Sequence, residues 1–343
     1  MALISSSQTL ARNPVTLLRR LWRTHAPLTL FAGLTVVLTL FFVIGIFADP
    51  RTITGAPAWL KPAKFGVSIT LYSFTMVWLL GFIATDRVWK RRLVGAAGWI
   101  IAGTFIAEMV PITLQVVRGT TSHFNVATPF DTALWSMMGT AIMVLWVTNF
   151  GVAALLLFQR FENRAFAWAL RLGLIITIVG MGLGFLMTVP TAQQLAGWQA
   201  GGPVTVAGAH TVGLVGSDTA DSGPGLPVVG WSTQGGDLRV GHFVGMHALQ
   251  VLPFLGLFVT RRRKWSVRQQ VRLVVTAAVG YLGVVLLVTW QALRAQPLVR
   301  QDALTVGVFA ALLVGVLLSA WWTARARFFA PEVGQDIGQE VPA

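Results

Sequence analysis

The hydrophobic positions of this chain come in long unbroken runs. They cover approximately residues 28–47, 65–84, 93–116, 132–158, 171–189, 241–260, 272–293 and 303–322. A helix of about 20 apolar residues crosses about 30 Å of hydrocarbon, and each run is close to that length. A segment in lipid must satisfy its backbone N–H and C=O groups internally, which continuous apolar runs do as helices. Barrel strands would alternate apolar and polar residues, and these runs do not. The pattern predicts an all-α fold: a polytopic membrane helix bundle of about eight transmembrane helices.

The cations lie in short clusters between the runs, where they set orientation. With the N-terminus inside, the inner segments hold Arg12, Arg19, Arg20 and Arg23; Arg87, Lys90, Arg91 and Arg92; Arg160, Arg164 and Arg171; Arg261, Arg262, Arg263, Lys264, Arg268 and Arg272; and Arg325 and Arg327. That is 19 cations, against 7 outside: Arg51, Lys61, Lys64, Arg118, Arg239, Arg294 and Arg300. Both termini are therefore expected on the cytoplasmic side of a plasma (inner) membrane. The expected organisation is a cytoplasmic segment over 1–27, a membrane domain over 28–322 and a cytoplasmic tail over 323–343. Residues 1–27 are polar and Arg-rich, and the first run is long enough to span, so it reads as a retained helix rather than a cleaved signal. One extracytoplasmic loop, 190–240, is long, as functional or disordered loops are. Its VTVAGAHTVG stretch predicts a small hairpin, and Trp198 and Trp231 predict that it folds down on the membrane rim. The polar motifs of the first half do not recur in the second, so no internal repeat is expected.

Composition agrees with a lipid solvent. The 343 residues are 55% hydrophobic and only 11% charged, against about 25% charged in soluble domains. The net charge of +14 comes from the orienting clusters. No basic patch carries interleaved aromatics, so nucleic acid is not an expected partner. The expected partners are the bilayer itself and a membrane or periplasmic protein. Cysteine is absent, which removes disulfides, thiolate metal sites, thiol nucleophiles and c-type haem attachment. Haem b or a transition metal would have to be held by His, Met or carboxylate. The five histidines are His25, His123, His210, His242 and His247. No GxSxG, HExxH, P-loop or Rossmann fingerprint is present. Many of the 35 glycines lie within spans, where small residues allow close helix packing.

Ionisable groups inside lipid are costly, and they are functional candidates. On the second span, Lys61, Lys64, Ser68, Tyr72 and Thr75 fall in one helical stripe. Snorkelling to the interface accounts for the two lysines equally well. On the third, Glu108 is the only acid deep in an apolar run, with Gln115 seven residues on and about 10 Å along the axis. Pro111 between them can loosen the backbone. Glu108 is read either as locked to Lys64 or as a proton carrier or ligand. Arg118, His123 and Asp131 follow, then Asp237 and Arg239 before the sixth span. His242 and His247 are about 140° apart on an ideal helix, so they cannot grip one metal as an HxxxH pair does. The candidate polar site is Lys64, Tyr72, Glu108, Gln115, Arg118, Asp131, Asp237 and Arg239. His123, His242 and His247, with Glu108, are the candidate haem or metal ligands. All lie towards the outer face, and His210 in the long loop is placed to cover them. On the inner half only Asn149 and Gln291 are noticeable.

The blocks PAWLKPAKFGVSITLY, EMVPITLQVVRGTTSHFN and GWSTQGGDLRVGHFVGMHALQ resemble those of an uncharacterised family of bacterial multi-span integral membrane proteins. The resemblance covers about 55–260 and implies no activity, cofactor or site. Three functions remain: a haem- or metal-binding redox protein with its centre near the outer leaflet, a small-solute or proton-coupled transporter, and an accessory subunit docking a partner through the long loop. The histidines place the first ahead.

Overall fold

The structure, a computed structural model, describes residues 13–214, 223–262 and 264–326. Arg12, Arg263, Arg327 and most of the expected tail lie outside the described residues. The helices are α1 (Pro14–Thr24), α2 (Ala26–Ala48), α3 (Leu60–Leu80), α4 (Val88–Val117), α5 (Pro129–Leu157), α6 (Arg164–Leu183), α7 (Ala192–Gln199), α8 (Leu238–Met246), α9 (Ala248–Thr260), α10 (Val267–Leu293) and α11 (Ala303–Arg325). Among the described residues, seven helices are long and apolar enough to cross a membrane, and α8 with α9 makes an eighth span bent by 43°. The chain is an all-α, multi-pass membrane bundle, as its hydropathy requires.

Side chains rather than propensity place the helix starts. The His25 ring caps α2 by accepting from Leu28 N at 3.0 Å, while its other nitrogen lies 3.0 Å from Gly95 O on α4. Thr128 caps α5, with Pro129 supplying the preset φ of a first turn. Asn163 caps α6. Between α2 and α3, where strands β1 (Thr52–Ile53) and β2 (Ala56–Pro57) pair antiparallel, Arg51 and the Trp59 indole both donate to Asp49. The Arg51 guanidinium, ahead of Trp59, holds that carboxyl well below the usual carboxylate range.

In the bundle α3 packs on α2 and α4, α5 joins α4 to α6, and α6 also meets α8, α9 and α10. Leu28, Met76, Leu79, Ile101, Ile112, Met138, Leu156 and Leu170 are buried between them. Val37, Phe41, Phe47, Phe254 and Trp322 stay exposed on the flanks, as side chains facing hydrocarbon do. Pro111 does not break α4. The break falls instead at His247, between α8 and α9. There Tyr281 on α10 donates to Val244 O at 2.6 Å and Thr177 on α6 to Met246 O at 3.1 Å, taking up carbonyls beside the bend.

One helix contact is closed backbone to backbone. A Cβ on Gly180 of α6 would lie 2.3 Å from the carbonyl carbon of Gly245 on α8. Gly180→Ala is therefore expected to force the helices apart, costing about 1–3 kcal/mol as overpacking does. Thermal unfolding in detergent would show it as a lowered midpoint. Gly33→Ala, with open space around the new methyl, is the control and should leave the midpoint nearly unchanged.

The described residues of the long loop fold as a cap over one end of the bundle. α7 opens with a capping box between Thr191 and Gln194, and the same Gln194 side chain bonds both N and O of Gly208. The expected local hairpin does not form. Strand β3 (Thr211–Val212) pairs antiparallel with β4 (Gly236–Asp237), and Val206 bridges Asn125. Gly208, at φ +105, turns the chain between these two pairings. The extended segment thus finds its partners in chain that enters α5 and α8, so it stitches the cap to the bundle rather than to itself. Trp231 meets Phe243 of α8, ring centres 5.8 Å apart.

Candidate functional site

The site begins where α4 ends. Gly119, at φ +74, receives the chain in the left-handed conformation. Gly119 N bonds Val116 O and Thr120 N bonds Gln115 O, the double closure of a Schellman stop. The chain reverses and brings His123 back over α4. His123 Nε2 lies 3.2 Å from Glu108 Oε1, and Nδ1 lies 3.0 Å from Ser122 Oγ. Phe65 of α3, Phe124 and Trp135 of α5 surround the imidazole, with ring centres 5.3, 6.2 and 5.5 Å away. Glu108 is 3% exposed. Its Oε2 is buried without a hydrogen-bond partner. The Lys61 ammonium is the cation whose field reaches it. Lys64 points elsewhere, donating to Val229 O of the cap at 3.1 Å.

The neighbouring polar cluster is of another kind. Asp131 is buried at the first turn of α5. Its Oδ1 accepts from Gln115 Nε2 at 2.7 Å and from Arg118 Nη1 at 2.5 Å, and its Oδ2 from Thr128 Oγ1 at 2.6 Å. Arg118 also lies over the Phe130 ring. Every partner here is internal, so these residues tie the end of α4 to the start of α5.

Asp237 and Arg239 hold the cap. Asp237 is 2% exposed. It takes Arg239 Nε at 2.9 Å and Nη2 at 2.6 Å, a two-pronged pair, together with Arg239 N and Ser232 N. Arg239 Nη2 also reaches Gly230 O at 2.6 Å. The expected outer polar group therefore divides into three units: a Glu108–His123 pair, an Asp131 tie and an Asp237 clamp.

The remaining candidates are dispersed. Among the described residues no three His, Asp or Glu side chains are arranged to hold one metal ion. The expected ligands meet as one pair, Glu108 with His123. His242 Nδ1 bonds Gly180 O at 2.8 Å, and His247 Nδ1 lies 3.3 Å from Gln250 Oε1. His210 is buried in the cap, its ring centre 4.7 Å from that of Phe124. The α3 stripe divides likewise. The Tyr72 hydroxyl donates to Asn149 Oδ1 on α5 at 2.7 Å, so it joins two spans rather than closing the side of the Glu108 pocket. Thr75 meets Gln250 of α9. Gln291, expected on the half away from the long loop, lies at the capped end: it sits where α10 packs on β3 and β4, and it bonds Pro297 O at 2.9 Å.

Sequence reasoning passed over the aromatic wall and underweighted Lys61. Trp135 stands four residues after Asp131, on the same face of α5, a spacing that marks it as directed at the same region. Phe65 stands four after Lys61 in the same way. No such signal announces Phe124, which enters the site through a backbone turn at φ +61. No protein-family model, curated protein or solved structure matches this chain.

Proposed function

We propose that this chain is a proton-coupled membrane protein of the small-solute transport class, and that Glu108 and His123 are its proton-exchanging pair. Glu108 carries the reading. It is a carboxyl buried within a span, with one oxygen on His123 and the other without a partner. Asp131, one cluster away, has the full set of donors that a purely structural carboxylate collects. Glu108 has not, and an unsatisfied ionisable group in a span is a cost that is retained where activity requires the group. A proton passing between Glu108 and His123 leaves the net charge of the pair unchanged. A proton entering or leaving changes it by one, under the cap and within the field of Lys61. The cation bias further puts the cap outside a plasma membrane, with both termini in the cytoplasm. Membership of the uncharacterised bacterial family is proposed on the same three blocks, which between them contain Lys61, Lys64, Glu108, His123 and Asp237.

Infrared difference spectra of the purified protein across a pH titration test this reading. A carboxyl band that titrates and shifts in deuterated water is expected. A spectrum with no titrating buried carboxyl would overturn it.

One observation favours a haem or metal centre instead. Gly180 O can only accept, so His242 Nδ1 donates to it, as a ligand imidazole is oriented by its second shell. The dispersed ligand set weighs against that reading. The visible absorbance of the detergent-purified protein, oxidised and then dithionite-reduced, is expected to be featureless. A Soret band would restore the redox assignment.

A further inference from the structure

At the end of the bundle away from the cap, α1 lies against α2 and α3 and leaves an apolar groove between itself, α3 and α9. Its volume is about 370 Å³, within the roughly 300–1,000 Å³ of small-molecule sites. Leu18 and Leu21 of α1, Trp78 of α3, and Leu249, Phe254 and Leu257 of α9 line it. Phe254 and Leu18 are exposed, so the groove opens on the flank of the bundle where lipid lies.

Thr75 and Gln250, on the groove wall, are already engaged. Gln250 Nε2 donates to Thr75 Oγ1 at 3.2 Å, Thr75 Oγ1 donates to Leu71 O at 2.7 Å, and Gln250 Oε1 lies 3.3 Å from His247 Nδ1. A guest at that depth meets hydrocarbon and a closed relay, which suits an alkyl chain rather than a polar head. The elements that border the groove carry cations at their exposed positions. Arg19 and Arg23 are exposed on α1, on the face away from Leu17 and Leu21. Exposed Arg261 and Arg262 follow the end of α9. Neither α1 nor the segment just after α9 contains an acid. An amphipathic helix with this division lies in the membrane interface, apolar side down and arginines at phosphate level.

We infer that the groove is a binding site for one anionic phospholipid. An acyl chain runs beneath α1 between α3 and α9, and the phosphate sits at the rim among Arg19, Arg23, Arg261 and Arg262. α1 is then a lipid-clasping element and not only a leading segment.

The test is native mass spectrometry of the full chain, delipidated in detergent and titrated with phosphatidylglycerol and with phosphatidylcholine of identical chains. One phosphatidylglycerol per chain is expected, preferred by about tenfold over phosphatidylcholine, as two or more interfacial arginines would give. Leu18→Trp, which fills the groove from a tolerant exposed position, should remove the tightly bound lipid. Arg19→Gln with Arg23→Gln should keep lipid binding and erase the headgroup preference. Equal retention of the two lipids by the unaltered protein would overturn the inference. So would Leu18→Trp binding phosphatidylglycerol as the unaltered chain does, or a preference for an uncharged amphiphile such as a quinone. The wild-type titration stands alone should a variant fail to fold.

Discussion

Glu108→Gln is expected to abolish the titrating carboxyl signal, and any proton-driven flux that depends on it, while leaving the protein folded. Gln keeps the shape of the side chain and an oxygen that can accept from His123 Nε2, now 3.2 Å from Glu108 Oε1. What it removes is the exchangeable acid. Because Oε2 has no partner to lose, the substitution should change stability by no more than about 1 kcal/mol, the worth of one ordinary hydrogen bond. The two readouts separate roles. A structural Glu108 would lower the unfolding midpoint strongly and leave no functional signature of its own. A proton-exchanging Glu108 would give the reverse. Persistence of the carboxyl band in the Gln variant would assign that band elsewhere and sink the proposal.

Asp237→Ala is expected to release the cap. The carboxylate takes two prongs of Arg239 and the N–H groups of Ser232 and Arg239, and it caps α8. Its loss removes the two-pronged acceptor of Arg239, which keeps Gly230 O, and it uncaps a helix start. Losing a hydrogen bond to a charged group costs about 1.5–3 kcal/mol. That cost should appear locally, because the clamp joins the cap to the broken span and not the spans to one another. Hydrogen exchange should show lost protection at β3 and β4 and in the segment around Gly230, with α2 to α5 unaffected. Limited proteolysis should cut within 190–237 much faster than in the unaltered protein. Unchanged protection at β3 and β4 would mean that the pairing of Thr211 with Asp237 and the Gln194 contacts hold the cap without the clamp. Asp237→Asn, which keeps acceptors but loses the charge, should give an intermediate loss.

These two carboxylates also mark where sequence reasoning reached its limit. Both belong to the polar group that the sequence pattern gathers towards one face. Their chemistry differs because of partners that no local pattern specifies. Asp237 finds Arg239 two residues away, a contact that sequence proximity suggests. Glu108 finds His123 only because Gly119 reverses the chain at the end of α4. The alternative lock to Lys64 was equally legible in the helical stripe, yet Lys64 reaches Val229 across 165 residues of chain.

The spans follow from hydropathy alone. Hydropathy is a property of each segment alone: a run of about 20 apolar residues must become a helix in lipid whatever surrounds it, since no other conformation satisfies its backbone there. The sequence also gathers the polar groups towards one end, because their positions within the runs are depths. Which of those groups meet depends on how the helices pack. Rotation of each helix about its axis, the backbone contact of Gly180 with Gly245 and the pairing of β3 with β4 depend on surfaces far apart in the chain. That is why Tyr72 turned to Asn149, Thr75 to Gln250, and Glu108 to a histidine beyond the end of its own helix.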